Sequence, residues 1–259
     1  VAGTDRLEHR LPVTEEPLPT NASSGVVRVG DTVRRPAGPW TDSVDALLAH
    51  LHAVGFPGAP RPLGRDEQGR QVLQFLAGEA GSPDPRWSTT DLGAVGRLLR
   101  DFHDAAADFA PPPDAVWQTA IPADREDLVV HHDPAPWNLV RRPAGWALID
   151  WDAAGPGSRL WDLAYTAQTA VPLRADRPLA PTLPRLRAVV DGYGLDDAGR
   201  AALVPMLHRR VTAMVELLRS GAANGRRPWA RIWTEDGPYW QRTADHLAAH
   251  TDDWAAALG

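Results

Sequence analysis

The chain has 259 residues, enough for one large domain or two lobes around a cleft, and its 43% hydrophobic and 23% charged residues give a globular balance and not a disordered one. It contains no Cys, which excludes disulfides, thiolate catalysis and cysteine zinc sites, and no Lys, so every basic residue other than His is Arg. The net charge of -6 argues against a nucleic-acid partner, and the absence of a long apolar run or signal-peptide core argues against a membrane span or secretion; a cytoplasmic protein, monomer or homodimer, is expected.

The first 24 residues are polar and turn-rich, with Pro12, Pro17 and Pro19, and read as a loosely held arm. Residues 25–35, Gly-Val-Val-Arg-Val-Gly-Asp-Thr-Val-Arg-Arg, place two short β-rich runs around Gly30-Asp31, a hairpin signal. Val44, Leu47, Leu48 and Leu51 then fall on one side of a helix over 42–54, stopped by Gly55. A turn-rich stretch, 57–69, leads to a strand over 72–76 that ends at Ala77-Gly78. Leu92, Val95, Leu98, Leu99 and Phe102 predict a long helix over 90–109, and Pro111, Pro112 and Pro113 interrupt the chain after it. Short strand-like pieces follow at 128–130, 138–140 and 147–149, then helices at 160–171, 182–193, 197–219 and 238–257. No internal repeat is present. This order predicts an α+β fold with a small β-rich N-terminal lobe carrying one helix, residues 1–78, and a larger, mostly helical lobe, residues 79–259.

The chemistry concentrates in residues 128–140, Leu-Val-Val-His-His-Asp-Pro-Ala-Pro-Trp-Asn-Leu-Val. Asp133 and Asn138 flank a Pro-containing loop between apolar runs, and Asp150 follows directly on the run at 147–149. The spacing matches the kinase pattern His-x-Asp-x-x-x-x-Asn followed by a strand with a metal-binding Asp. One carboxylate then stands near an attacking hydroxyl, while an amide oxygen and a second carboxylate supply the hard oxygens that suit Mg²⁺ on nucleotide phosphates. The competing reading is an ordinary turn, since Asp, Pro and Asn are common turn formers.

Three motifs carry a family resemblance: Val-His-His-Asp-Pro-Ala-Pro-Trp-Asn-Leu at 130–139, Leu-Ile-Asp-Trp-Asp at 148–152 and Trp-Asp-Leu-Ala at 161–164. They resemble the aminoglycoside phosphotransferase group, a protein-kinase-like family that also includes choline, homoserine and macrolide kinases. The likeness runs from about residue 25 to the C-terminus and is most specific over 128–165. Within the group, segments 25–35 and 55–63 are similar to the bacterial trifolitoxin-immunity-like phosphotransferases. The resemblance implies Asp133 as catalytic base, Asn138 and Asp150 as metal ligands, and His131 as packing for the loop. It implies Asp162 as a support for that loop through backbone hydrogen bonds, with a first-turn helix acid as the equal alternative. Trp151 would follow the metal Asp or simply fill the core, and Asp152 would stand behind it. On the strand at 32–36, Arg34 or Arg35 would reach the nucleotide phosphates, with alternation favouring Arg35, and Asp42 or Asp45 would be the helix acid. The backbone near Phe75, Leu76 and Ala77 would meet the adenine.

The activity so implied is ATP-dependent (or GTP-dependent) O-phosphorylation, with Mg²⁺, of a small hydroxylated acceptor, aminoglycoside-like at the level of the family name. Trp229, Trp233, Glu235, Asp236 and Trp240 are acceptor-pocket candidates, with core packing the stronger alternative. The sequence departs from the pattern in four places: His132 stands where Gly is usual, Arg replaces the usual Lys, no glycine-rich phosphate loop is evident, and the N-terminal lobe is short enough that one strand must come from before Gly25 or be missing. The alternative function is a catalytically weak or inactive kinase-like binding or immunity protein.

Overall fold

The computed structural model describes residues 14–18 and 25–259. Most of the arm expected over the first 24 residues, including Pro12 and Pro19, therefore lies outside the described residues. Within it, β1 (Glu16–Pro17) pairs antiparallel with β2 (Val27–Val29), so a strand does come from before Gly25. β3 (Thr32–Arg35) closes the hairpin at Gly30, which turns with a φ of 57°. α1 (Thr41–Ala53) buries Val44, Leu47, Leu48 and Leu51, the expected face. β4 (Pro62–Arg65) lies inside the stretch read as turns; its Pro62, Gly64 and register shift against β5 (Gln71–Gln74) hide the period-2 signal. These strands form one sheet in the order β1-β2-β3-β5-β4.

The chain then changes character. β6 (Glu79–Ala80) leaves the first sheet and later pairs with β8. α2 (Thr89–Ala105) starts at a capping box in which Ser88 and Asp91 bond reciprocally. It ends four residues short of the expected 109, because the Ala107 N–H turns back to the Asp104 carbonyl and tightens the chain out of the helix. β7 (Leu128–Val130), β8 (Leu139–Arg142), β9 (Gly145–Leu148) and β10 (Gly155–Gly157) make two small sheets, β10-β7 and β6-β8-β9. The helices α3 (Arg159–Ala170), α4 (Leu179–Tyr193), α5 (Asp197–Ala223), α6 (Trp229–Ala249) and α7 (Thr251–Leu258) complete the fold. The single helix expected over 238–257 is thus two, parted at His250, where the chain bends so that Trp254 buries its ring and donates its indole N–H to the Leu247 carbonyl. The result is a bilobal α+β fold, sheet-rich with one helix at the N-terminal side and mostly helical beyond. Among the described residues, no helix is long and apolar enough to cross a membrane.

The helical core depends on a close crossing of α2 and α4. A Cβ at Gly96 would collide with the Val189 carbonyl, and one at Gly192 would collide with the Gly93 backbone. Gly96→Ala is therefore expected to destabilise the protein by about 1–3 kcal/mol through overpacking. Urea denaturation measures this, and an unchanged midpoint would mean that the two helices separate freely.

Candidate functional site

A cleft of about 390 Å³ opens between the first sheet and the loop that follows β7. Val33, Leu73 and Leu76 form apolar walls on one side and Val140 and Ile149 on the other, with Asp133, Asn138 and Asp150 along its floor. The floor has a local cause. β8 and β9 are antiparallel, pairing Leu139 with Leu148, and the Ile149 N–H continues the ladder by donating to the Asn138 carbonyl at 2.9 Å. Asp150 therefore stands beside Asn138 although twelve residues separate them in sequence. A 3-10 turn, Pro136–Asn138, folds the amide back: Asn138 Nδ2 donates to the Asp133 carbonyl and to Asp133 Oδ2, both at 2.9 Å.

Asp162, fully buried in the first turn of α3, holds this loop from below. Its carboxylate accepts from the backbone N–H groups of His131 and His132, each at 2.8 Å, and meets His103 Nε2 at 3.3 Å. Burial alone would push its pKa up, but the His103 hydrogen bond and the surrounding histidines bring it below the ordinary carboxylate value. Both offered alternatives for Asp162 are thus realised, a first-turn acid and a loop support. His131 is buried, its ring tilted against Trp151 with centroids 4.7 Å apart and Nε2 on the Ile149 carbonyl at 3.1 Å. Trp151 is a core side chain. His132 shows why Gly is usual at its position: its φ is 64°, a conformation costing an L residue about 1–2 kcal/mol. Its ring nitrogen on the Pro156 carbonyl at 3.0 Å offsets part of that cost.

Arg35 projects from β3 into the cleft and is almost wholly buried. Its Nη2 donates to Asp150 Oδ1 at 3.0 Å and to Asp152 Oδ2. Arg34 points to the opposite face, pairs with Asp66 at 3.8 Å and does not line the cleft. Neither acid of α1 reaches Arg35: Asp42 pairs with Arg65, and Asp45 accepts from Gln71 at 2.6 Å and pairs with Arg65 at 3.3 Å. Phe75 and Leu76 line the cleft and Ala77 does not, while the Phe75 N–H is already given to the Asp31 carbonyl. Trp229, Trp233, Glu235, Asp236 and Trp240 lie on α6, away from the cleft lining; Glu235 and Asp236 are exposed, and the Trp233 ring lies under the Arg219 guanidinium.

Two residues that the sequence reading did not single out border Asp133. Tyr165, from α3, brings its hydroxyl to the Asp133 carboxylate, and Arg210, from α5, stacks over the Tyr165 ring at 4.2 Å while donating to the His132 carbonyl at 3.2 Å. The one sequence signal was an Arg at 210 in phase with the apolar series Leu203, Leu207, Val211. Burial first, and then the Asp150 charge, push the Asp133 pKa up to about 7, against the pull of Arg210, Tyr165 and Asn138.

The donor set suits a hard cation that arrives with phosphates. Asn138 spends its N–H groups on Asp133, so no hydrogen bond among the described residues uses its amide oxygen, and Asp150 adds a carboxylate that is 43% exposed to the cleft. Two such oxygens make a partial shell of the kind that suits Mg²⁺, an ion that keeps waters and phosphate oxygens around it.

Comparison with known proteins agrees with this geometry. The model of the phosphotransferase enzyme family matches residues 114–203, the segment holding all three floor residues. The trifolitoxin immunity protein of Rhizobium leguminosarum bv. trifolii is 33% identical over 255 residues, covering 90% of this chain and 94% of that protein. This chain belongs to the phosphotransferase enzyme family. Solved structures share the fold at low identity. The microcompartment-associated aminopropanol kinase superposes with a TM-score of 0.64 at 14% identity, covering 96% of this chain and 95% of that one. Amicoumacin kinase hAmiN gives 0.63 at 13%, covering 93% and 88%. A choline/ethanolamine kinase family protein from Mesorhizobium loti gives 0.61 at 15%, covering 90% and 88%.

Proposed function

We propose that this chain is a kinase-fold protein of the immunity type, which holds a nucleoside triphosphate, ATP or GTP, in the cleft and transfers its phosphoryl group weakly or not at all. The observation that carries the nucleotide part of this reading is the Arg35 guanidinium, the one basic group among the described residues lining the cleft, set beside Asp150. The tight turn at Gly30-Asp31 supports the weak-transfer part, because it leaves no glycine-rich run of backbone N–H groups to cover phosphates. The name of the 33% identical relative points the same way.

In this reading the apolar walls take the base, with the backbone near Leu76 and Ala77 at its edge, and Arg35 takes the phosphates. Asn138 and Asp150 would hold Mg²⁺, which when bound supplies charge neutralisation on the phosphates. Asp133 orients an acceptor hydroxyl and takes its proton.

One observation favours a second reading, a competent Mg²⁺-assisted O-phosphotransferase acting on a small hydroxylated molecule, aminoglycoside-like or otherwise. A carboxylate with a pKa near 7, open to the cleft, is well poised as a general base at neutral pH. Labelled-ATP transfer across a panel of hydroxylated acceptors separates the two. The expected result is turnover below about 0.1 s⁻¹ on every acceptor, against roughly 1–100 s⁻¹ for typical kinases. Turnover inside that range on any acceptor would establish the second reading instead.

A further inference from the structure

We infer that Arg35 is a latch that closes the cation site to free divalent ions, so that a metal enters only together with nucleotide phosphates; this deepens the proposed nucleotide site and rests on it. The guanidinium is the only basic group among the described residues lining the cleft, and its hydrogen-bonding partners are Asp150 and Asp152. Among the described residues it has no partner on its own lobe: the acids of α1 are held by Arg65 and Gln71, and Asp66 is held by Arg34 and Arg70. Asp150 and Asp152 both sit at the turn after β9, so one cation bridges both carboxylates.

Beside that guanidinium the cleft floor offers two hard oxygen donors that suit a divalent ion, the Asp150 carboxylate and the amide oxygen of Asn138, with Asp152 behind them on the same turn as Asp150. A polyphosphate is the ligand able to draw it off, because phosphate oxygens match the guanidinium fork as well as a carboxylate does. Nucleotide and metal then enter as a unit, the nucleotide taking Arg35 and the metal taking the freed Asp150.

The test is Mn²⁺ binding, read by electron paramagnetic resonance, with and without the nonhydrolysable nucleotide AMP-PNP. The nucleotide-free wild type should leave Mn²⁺ free at about millimolar concentration, and Arg35→Met should bind it at least about tenfold more tightly. Arg35→Lys, which keeps a buried cation and so protects the fold, should fall between them and serves as the deciding variant if Arg35→Met does not fold. Equal Mn²⁺ affinity in the nucleotide-free wild type and the variants, including no binding in any of them, would overturn the latch. Mn²⁺ binding by the wild type in the presence of AMP-PNP reports separately on the proposed nucleotide site: if it occurs while the latch result fails, the nucleotide reading stands, and if neither protein takes up AMP-PNP, both fall.

Discussion

Asp162→Ala should cost the protein about 3–5 kcal/mol and disorder the loop that carries Asp133. The carboxylate is fully buried and satisfies the N–H groups of His131 and His132 and the ring of His103. Alanine would leave the two backbone N–H groups and His103 Nε2 buried without a partner, and His132 would lose an anchor for its left-handed backbone. Asp162→Asn should cost less, since one amide oxygen can still accept from a backbone N–H. The pH dependence has a definite sign. The folded pKa of Asp162 lies below its ordinary value of 3.8, so its contribution is complete above that value and fades as pH falls through the folded pKa. Wild type and Asp162→Ala should therefore differ most in chemical denaturation at neutral pH and converge in strong acid. An alanine variant as stable as wild type at neutral pH would mean that another group holds the loop.

Asp133→Asn should have opposite effects on chemistry and on stability. Whatever transfer the wild type performs should fall by about 10²–10⁴-fold, the usual weight of a general base, while nucleotide affinity stays within a few fold. The fold, in contrast, should gain about 1–3 kcal/mol above neutral pH, because the ionised carboxylate is held among buried groups with Asp150 beside it. Here the folded pKa, about 7, lies above the ordinary 3.8. Between those values the native state keeps a proton that the unfolded chain has lost, so wild-type stability declines as pH rises and levels off beyond about 7. The Asn variant lacks that decline, and the gap between the two should open across this window and be absent in acid. Thermal unfolding at a series of pH values reads it directly. A gap that ignores pH would show that Asp133 titrates as an ordinary surface carboxylate.

The floor of the site was legible because its geometry is local. The loop from His131 to Asn138 and the β8–β9 hairpin are short-range structures, so spacing in the chain becomes proximity in space. The face of α1 was legible for the same reason, as Val44, Leu47, Leu48 and Leu51 repeat with helical period. β4 and β10 were not, since Pro62, Gly64 and Gly-Pro-Gly at 155–157 carry turn signals and owe their strand state to neighbours that arrive from elsewhere. Alternation chose Arg35 over Arg34 but could not show that its partners would be Asp150 and Asp152, more than a hundred residues on, and not an acid of α1. Tyr165 and Arg210 lay in helices that read simply as amphipathic; only tertiary packing brings them to Asp133. The helix expected over 238–257 ran through His250 because apolar period alone does not register a bend that a buried Trp imposes.

The central claim is that the cleft over Asp133, Asn138 and Asp150 is a nucleotide site whose cation arrives with the phosphates. Calorimetric titration of AMP-PNP with Mg²⁺ into the wild type and into Asp150→Asn tests it most directly. The account predicts saturable one-to-one binding by the wild type and a loss of at least about tenfold in affinity in the variant. A wild type that takes up no nucleotide, or a variant that binds it equally well, would contradict the account.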